Sequence, residues 1–298
     1  MLGLDMAIAT YLKATRAFSL PASVLPVLAA TAATLPPAQW DWLILLAGLT
    51  GAACLHLAGN LFNDYFDFLS GVDRRTDDDA GRPGRQLVRG ELVPRQVLAE
   101  AVLFLALAAP AAAYVLHRRG AWLLPFALAA SLGGYAYTGP PFRLKCRALG
   151  EAVIFALFGP LLLVGAAWSQ TGRVEPGVLL LSVPMGLATV AILVGNNWRD
   201  RDEDAQARIR TLGQLAGGRL VRGLYVALVV ASAGGVAGLA AAGLAPPALL
   251  AAPLLLGLLA APLRAILADR RLSDIDARTA RYVAALNLAV ILAFVLRR

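Results

Sequence analysis

The chain has 298 residues, of which 59% are hydrophobic and 15% charged, with a mean hydropathy of +0.67 and a net charge of +8. A soluble domain is about half apolar and about a quarter charged, so this balance excludes an ordinary soluble fold. In a soluble chain the basic excess would suggest nucleic acid; here it is sorted by loop, which is the signature of membrane topology and removes nucleic acid from the expected partners.

Nine apolar segments follow one another, at about 17–34, 42–63, 96–116, 121–138, 150–169, 176–197, 220–242, 246–268 and 280–296. Several reach the ~20 residues that carry a helix across a bilayer, and alternating strands of the outer-membrane barrel kind are absent. Lys13 and Arg16 precede the first segment, but the apolar run behind them contains prolines and no clear small-residue cleavage site. Insertion through the first membrane helix is expected, not a cleaved signal peptide. Prolines inside segments (Pro26, Pro110, Pro160, Pro184, Pro253) are tolerated in membrane helices, where neighbours satisfy the freed backbone groups. The expected fold is an all-α integral membrane protein, a bundle of about nine transmembrane helices forming one domain over 1–298.

The N-terminus and the loops after the second, fourth, sixth and eighth segments hold 22 of the 27 Lys and Arg residues. The positive-inside rule therefore places the N-terminus in the cytoplasm and, with an odd helix count, the C-terminus on the opposite side of the cell (inner) membrane. Cys54 and Cys146 fall in different segments and form no pair motif, so neither a disulfide nor a metal role is expected.

Two acidic clusters open cytoplasmic loops. The second segment runs into Asn60-Leu61-Phe62-Asn63-Asp64-Tyr65-Phe66-Asp67, and the sixth into Asn196-Asn197-Trp198-Arg199-Asp200-Arg201-Asp202-Glu203-Asp204. On a helix, Asn60, Asp64 and Asp67 share a face, as do Asn63 and Asp67. Asp200 and Asp204 repeat the four-residue spacing, with Asn196 one turn before and Asn197 beside it. Oxygen-only donors suit hard cations, and Mg²⁺ favours one or two carboxylates completed by phosphate oxygens and water. Arg82, Arg85 and Arg89 follow the first cluster, and Arg199, Arg208 and Arg210 belong to the second; guanidinium groups match phosphate bidentately. Ionisable groups within a membrane protein are functional candidates by default, and two matched sets on one side strengthen that reading. The bland readings fall elsewhere. Asp77-Asp78-Asp79 lacks helical spacing and reads as a solvated loop. His56 reads as a packed, satisfied histidine, Tyr135 and Tyr137 as interfacial anchors, and Glu151 as a carboxylate favoured at a helix N-terminus.

These motifs, taken in order, resemble the UbiA superfamily of intramembrane prenyltransferases, most closely its 1,4-dihydroxy-2-naphthoate polyprenyltransferase branch. The resemblance rests on KATRAFSLPASVLPVL near the N-terminus, LHLAGNLFNDYFDFLSGVD up to Asp73, GRPGRQLVRGEL, YTGPPFRLKCRALGE from Tyr137 to Glu151, and NNWRDRDEDAQARIRTL. It implies a nine-helix bundle around a central cavity open to lipid, and Mg²⁺-dependent transfer of a polyprenyl group from polyprenyl diphosphate to an aromatic acid acceptor. For the named branch that acceptor is 1,4-dihydroxy-2-naphthoate, which loses its carboxylate to give demethylmenaquinone. By position, Asn60, Asn63, Asp64 and Asp67 would form the first metal and diphosphate site, and Asn196, Asn197, Asp200 and Asp204 the second. Arg85 and Arg199 would contact phosphate, with Tyr137 near the substrate and Arg143, Lys145 and Arg147 available for the acceptor carboxylate. The family usually has Gly-Lys-x-Thr after the second cluster. This chain has Arg208-Ile209-Arg210-Thr211, so Ile209 replaces the lysine and Arg208 or Arg210 must supply the charge. Other readings of the same residues are a different aromatic acceptor, a membrane terpene cyclase, or a secondary transporter, which the boundary position of the carboxylates fits poorly.

Overall fold

A computed structural model of the chain describes residues 2–73, 84–206 and 211–297 and, for residues 2–7, 203, 204, 206 and 216, the backbone alone. Among these residues every regular element is helical. In chain order they are α1 (Leu2–Ala14), α2 (Pro21–Thr34), α3 (Trp42–Ser70), α4 (Pro94–Arg119), α5 (Leu124–Thr138), α6 (Gly150–Thr171), α7 (Pro176–Arg199), the short α8 (Arg201–Gln206), α9 (Leu212–Ala241), α10 (Pro247–Leu267) and α11 (Ile275–Val295). Among the described residues eight helices, one each from the α2, α3, α4, α6, α7, α9, α10 and α11 regions, are long and apolar enough to cross a bilayer. The ninth expected segment is shorter. Gly120 (φ 86) and a 3₁₀ turn, Ala121–Leu123, precede α5, which has 15 residues and so extends only ~22 Å.

The bundle has two halves. In one, α3 lies along α4 and touches α5. In the other, α7, α9, α10 and α11 pack around a core that includes Trp198, Tyr225, Met185, Leu259 and Leu286. Helix α2 joins them, touching α3, α6, α7 and α11. The outer face is apolar: Trp42, Leu43, Leu103, Leu132, Leu254 and Leu292 are each at least half exposed, an arrangement suited to lipid. Two hydroxyl pairs, Tyr225–Thr279 and Ser232–Tyr282, each 2.7 Å, join α9 to α11 inside the bundle.

Several membrane helices depart from α geometry where the sequence demands it. Pro160 cannot donate a backbone hydrogen bond, and α6 widens into a π segment at Leu157–Leu161 around it. Helix α10 is 3₁₀ from Pro247 to Leu259, with Pro253 inside, before an α turn completes it. Helix α9 breaks at Gly217 (φ 76, ψ 158), so its membrane portion begins there.

Helices α6 and α7 cross on two glycines. A Cβ at Gly159 would lie 2.9 Å from the Ser182 carbonyl oxygen and 3.0 Å from the Gly186 Cα, so only a hydrogen fits. Gly159→Ala is therefore expected to destabilise the detergent-solubilised protein by about 1–3 kcal/mol, read as a lower thermal unfolding midpoint. Gly238→Ala, where an added Cβ meets no atom within 4 Å, is expected to leave the midpoint unchanged or slightly raised.

Candidate active site at the charged end of the bundle

The first acidic motif is helical throughout. The sequence reading ended the second segment at residue 63, with the cluster opening a loop; α3 instead continues to Ser70. Gly71, in the left-handed conformation (φ 71), ends it by donating to the carbonyls of Asp67 and Phe68. The extra turns place Asp64 and Asp67 on the buried side of α3, 4% and 5% exposed. Asn60 and Asn63 lie on the same helix, half-buried.

Each carboxylate there meets a cation from a different part of the chain. Arg16, just before α2, is ion-paired with Asp64. Lys145, in the loop between α5 and α6, donates to Asp67 and, at 2.8 Å, to the Asn63 Oδ1. Arg85 donates to Asp73 at 2.7 Å. Asn60 uses its amide to hold the chain beside Arg16, donating to the Thr15 carbonyl at 3.0 Å and the Ser19 hydroxyl at 3.2 Å. His56, one turn earlier, bridges Ser19 (3.0 Å) and Ser23 (2.9 Å), so both ring nitrogens are engaged in packing α2 against α3.

The electrostatics follow from this crowding. Burial disfavours the charge on Arg16, but Asp64, Asp73 and Asp67 together outweigh it and hold the guanidinium above its ordinary pKa. Burial pushes the Asp73 carboxyl up and neighbouring Asp67 adds to the shift, against the pull of Arg85. Arg16 is itself constrained. It occupies the left-handed region (φ 53), and a Cβ at Gly84 (φ 78) would lie 2.0 Å from its Nε. The loop carrying Gly84, Arg85 and Gln86 is pinned by Leu87 and Leu92, which pack with Leu61, Val97 and Ala101.

The second motif is arranged differently. Helix α7 ends at Arg199, Asp200 has left helical geometry (φ −92, ψ 8), and the short α8 restarts at Arg201. Asp200 and Asp204 therefore do not share one continuous helix, a correction to the spacing argument; the side chain of Asp204 lies outside the described residues. Arg199 grips Asp200 through two hydrogen bonds, Nε at 2.7 Å and Nη2 at 2.8 Å, and also donates to Asn196. Its other arm meets Asp276 of α11 at 2.6 Å. Arg82, Arg208, Ile209, Arg210 and Asp77-Asp78-Asp79 lie outside the described residues.

One loop joins the two motifs. Lys145 reaches the first; Gly150, where a Cβ would stand 3.3 Å from the Lys145 Cα and 3.4 Å from the Tyr137 ring, opens α6; and Glu151 accepts from the Asn197 amide at 3.1 Å. Tyr137 thus lies in the strip between the motifs, while Tyr135 is tied outward through its hydroxyl to the Pro140 carbonyl at 2.8 Å. Of the three basic residues in this loop, only Lys145 turns inward; Arg143 and Arg147 are exposed, with Arg147 bonded to the Pro141 carbonyl at 3.0 Å. Sequence reasoning gave Arg16 no site role and Glu151 only a capping role. Spacing offers no signal for either, because both contacts cross more than 40 residues.

The donors fit a hard cation: aspartate and asparagine oxygens, with no thiol or free imidazole among them. Among the described residues no three His, Cys, Asp or Glu side chains gather closely enough to hold a metal by themselves. Mg²⁺, which takes one or two carboxylates with phosphate oxygens and water, does not require such a group.

Fold and site together define a multi-pass helical membrane protein with paired oxygen-donor motifs at one end. The comparisons agree. The UbiA prenyltransferase family matches residues 23–291, and the chain belongs to that family. It is 37% identical over 226 residues to UbiA prenyltransferase domain-containing protein 1 of Xenopus tropicalis, covering 74% of this chain but only 64% of that relative's length. It is 34% identical to the 1,4-dihydroxy-2-naphthoate octaprenyltransferase of Mycobacterium leprae, over 75% of each chain. The fold is similar to a UbiA homolog from Archaeoglobus fulgidus bound to GPP and Mg²⁺, with a TM-score of 0.70 and 16% identity over 96% of this chain and 99% of the other.

The buried pairing can be checked directly. Lys145→Met is expected to lower the unfolding midpoint, because it leaves the Asp67 carboxylate buried without its cation. Adding Asp67→Asn should recover much of the loss, with a coupling of about 0.5–3 kcal/mol in the double-mutant cycle. Strictly additive losses would show that the two side chains do not interact.

Proposed function

We propose that this chain transfers a polyprenyl group from its diphosphate to an aromatic acid, with 1,4-dihydroxy-2-naphthoate as the acceptor and demethylmenaquinone as the product. The observation that carries the reading is the gathering of oxygen donors and cations around Asp64 and Asp67, linked through Lys145, Tyr137 and Glu151 to Asn197. Family membership supports prenyl transfer, and the octaprenyltransferase relatives support this acceptor. The A. fulgidus neighbour, bound to GPP and Mg²⁺, supports a divalent metal and a prenyl diphosphate donor. We assign the chain to the cell (inner) membrane, and the charge distribution supports the N-terminus and both motifs lying on the cytoplasmic side.

In the reaction the bond between the allylic carbon and the diphosphate oxygen breaks, and its electron pair leaves with the diphosphate. The ring carbon bearing the carboxylate supplies the pair for the new C–C bond. Loss of CO₂ returns a pair to the ring, so no separate proton acceptor is required at that carbon. Mg²⁺, held by Asp64, Asp67, Asp200 and Asp204 with the Asn60, Asn63 and Asn197 amides nearby, would offset the charge of the departing diphosphate. Arg16, Arg85 and Lys145 converge on the first motif, where their positive charge stabilises the developing negative charge. Arg199 orients Asp200 and Asn196, and Arg208 and Arg210 are assigned the charge that Ile209 lacks. Tyr137, on the strip between the motifs, is assigned to positioning the acceptor ring.

Asp64→Ala and Asp200→Ala are each expected to abolish product formation in membranes supplied with geranylgeranyl diphosphate, dihydroxynaphthoate and Mg²⁺, while the protein still inserts. Full activity of both variants would rule out the two-motif site. Lys145→Gln is expected to raise the KM for the prenyl diphosphate by about tenfold or more, as for a lost charged hydrogen bond, with the acceptor KM little changed. The reverse split would assign Lys145 to the acceptor carboxylate.

A second reading keeps the donor and changes the acceptor. It is favoured by Ile209 in place of the family lysine and by the equally similar animal relatives. Mass spectrometry of products formed with a panel of aromatic acids, and with none, separates this reading from both the dihydroxynaphthoate one and a terpene cyclase.

A further inference from the structure

The start of the membrane portion of α9 carries a feature that prenyl transfer does not use. After the break at Gly217, Arg219, Gly223, Val226, Ala227 and Val230 follow at three- and four-residue spacing, on one helix face. With Leu267 and Arg222 they line a groove of about 510 Å³ that is open at the surface of the bundle. A second groove of about 390 Å³, lined by Leu212, Leu220, Val221 and Leu224, flanks it, and the two share Gly223 and Ala227 as a low ridge.

The charge is concentrated at the mouth. Arg219 is exposed and has no ion-pair or hydrogen-bond partner among the described residues. Arg222 meets Asp269 at 3.1 Å and leans over the Trp198 ring at 5.8 Å. Arg201 shares Asp269 at 3.2 Å and stacks on the same ring at 4.1 Å, while Arg271 is paired with Asp202. Among the described side chains here, three arginines share two aspartates and Arg219 adds an unpaired positive charge. Below it, Val226, Val230 and Leu267 offer only apolar surface, with Val230 49% and Leu267 69% exposed.

A positive mouth over two apolar furrows is complementary to one ligand class. We propose that this face of α9 binds a diacyl phospholipid with an anionic headgroup, its phosphate at Arg219 and Arg222 and one acyl chain in each furrow. The low ridge at Gly223 and Ala227 lets the two chains diverge from one headgroup. The charge is fixed by guanidinium groups, so the selectivity is for headgroup charge and weakens with salt. Trp198 stands beside Arg199 at the end of α7, so the lipid would brace the second motif from its outer side.

The test uses the full chain in neutral detergent, with thermal unfolding followed as phosphatidylglycerol, phosphatidylcholine or inorganic phosphate is added. Phosphatidylglycerol is expected to raise the midpoint by several degrees more than phosphatidylcholine, and that increment should shrink at high salt. Arg219→Gln, which breaks no ion pair, should remove most of it. Ala227→Trp, which fills the furrows and keeps both arginines, should remove it as well. Equal shifts from the two lipids, or a full increment in both variants, would overturn the proposal. An equal shift from inorganic phosphate would replace the lipid with a free anion.

Discussion

A charged carboxylate buried at the end of a membrane helix is costly unless a positive charge faces it, and this cost organises the charged end of the protein. Asp64 and Asp67 lie, with almost no access to water, on a helix that is mostly apolar before Asn60. Removing either partner of such a pair leaves an uncompensated buried charge, a loss of about 3–5 kcal/mol. The chain meets the requirement from three separate segments. Arg16 comes from the entry to α2, Arg85 from the loop after α3, and Lys145 from the loop after α5. The paths of these connections are therefore fixed by the charges they deliver.

The second motif meets the same constraint by another route. Arg199 comes from its own helix, grips Asp200 bidentately and ties the pair to Asp276 on α11. Among the described residues the first motif is matched by cations from other segments, and Asp200 by Arg199 of its own helix. The likeness of the two sequence patterns hides this asymmetry. Arg199 also ties α7 to α11 through Asp276, whereas Arg16 and Lys145 tie the first motif to the connections before α2 and after α5.

The membrane character, the run of apolar segments and the two acidic patterns were legible in the sequence because each is local. Hydropathy over twenty residues and a three- or four-residue spacing require no knowledge of the neighbours. The helix ends were less legible. Asn60 to Asp67 reads as polar and so as the start of a loop, yet α3 continues to Ser70, because the polar side chains find cations and the backbone stays hydrogen-bonded. Likewise the four-residue spacing of Asp200 and Asp204 suggested one helix face, but the backbone turns at Asp200. Least legible were the long-range partners. Lys145 is one of three basic residues in its loop, and only the folding of that loop through Arg147–Pro141 and Tyr135–Pro140 selects it to face inward.

The pairing also bears on why a site of this kind would need a metal in addition to arginine and lysine. An anionic diphosphate entering beside Arg16 and Lys145 competes with Asp64 and Asp67 for them. If the diphosphate wins, two buried carboxylates are left unpaired, and the unfavourable energy of that state opposes binding. If it loses, the cations never reach it. A further hard cation resolves the conflict, because it satisfies the released carboxylates and the arriving phosphate oxygens together. On this argument the carboxylates hold the arginine and lysine in place before substrate arrives, and donor binding and metal binding should each be weak alone and strong together.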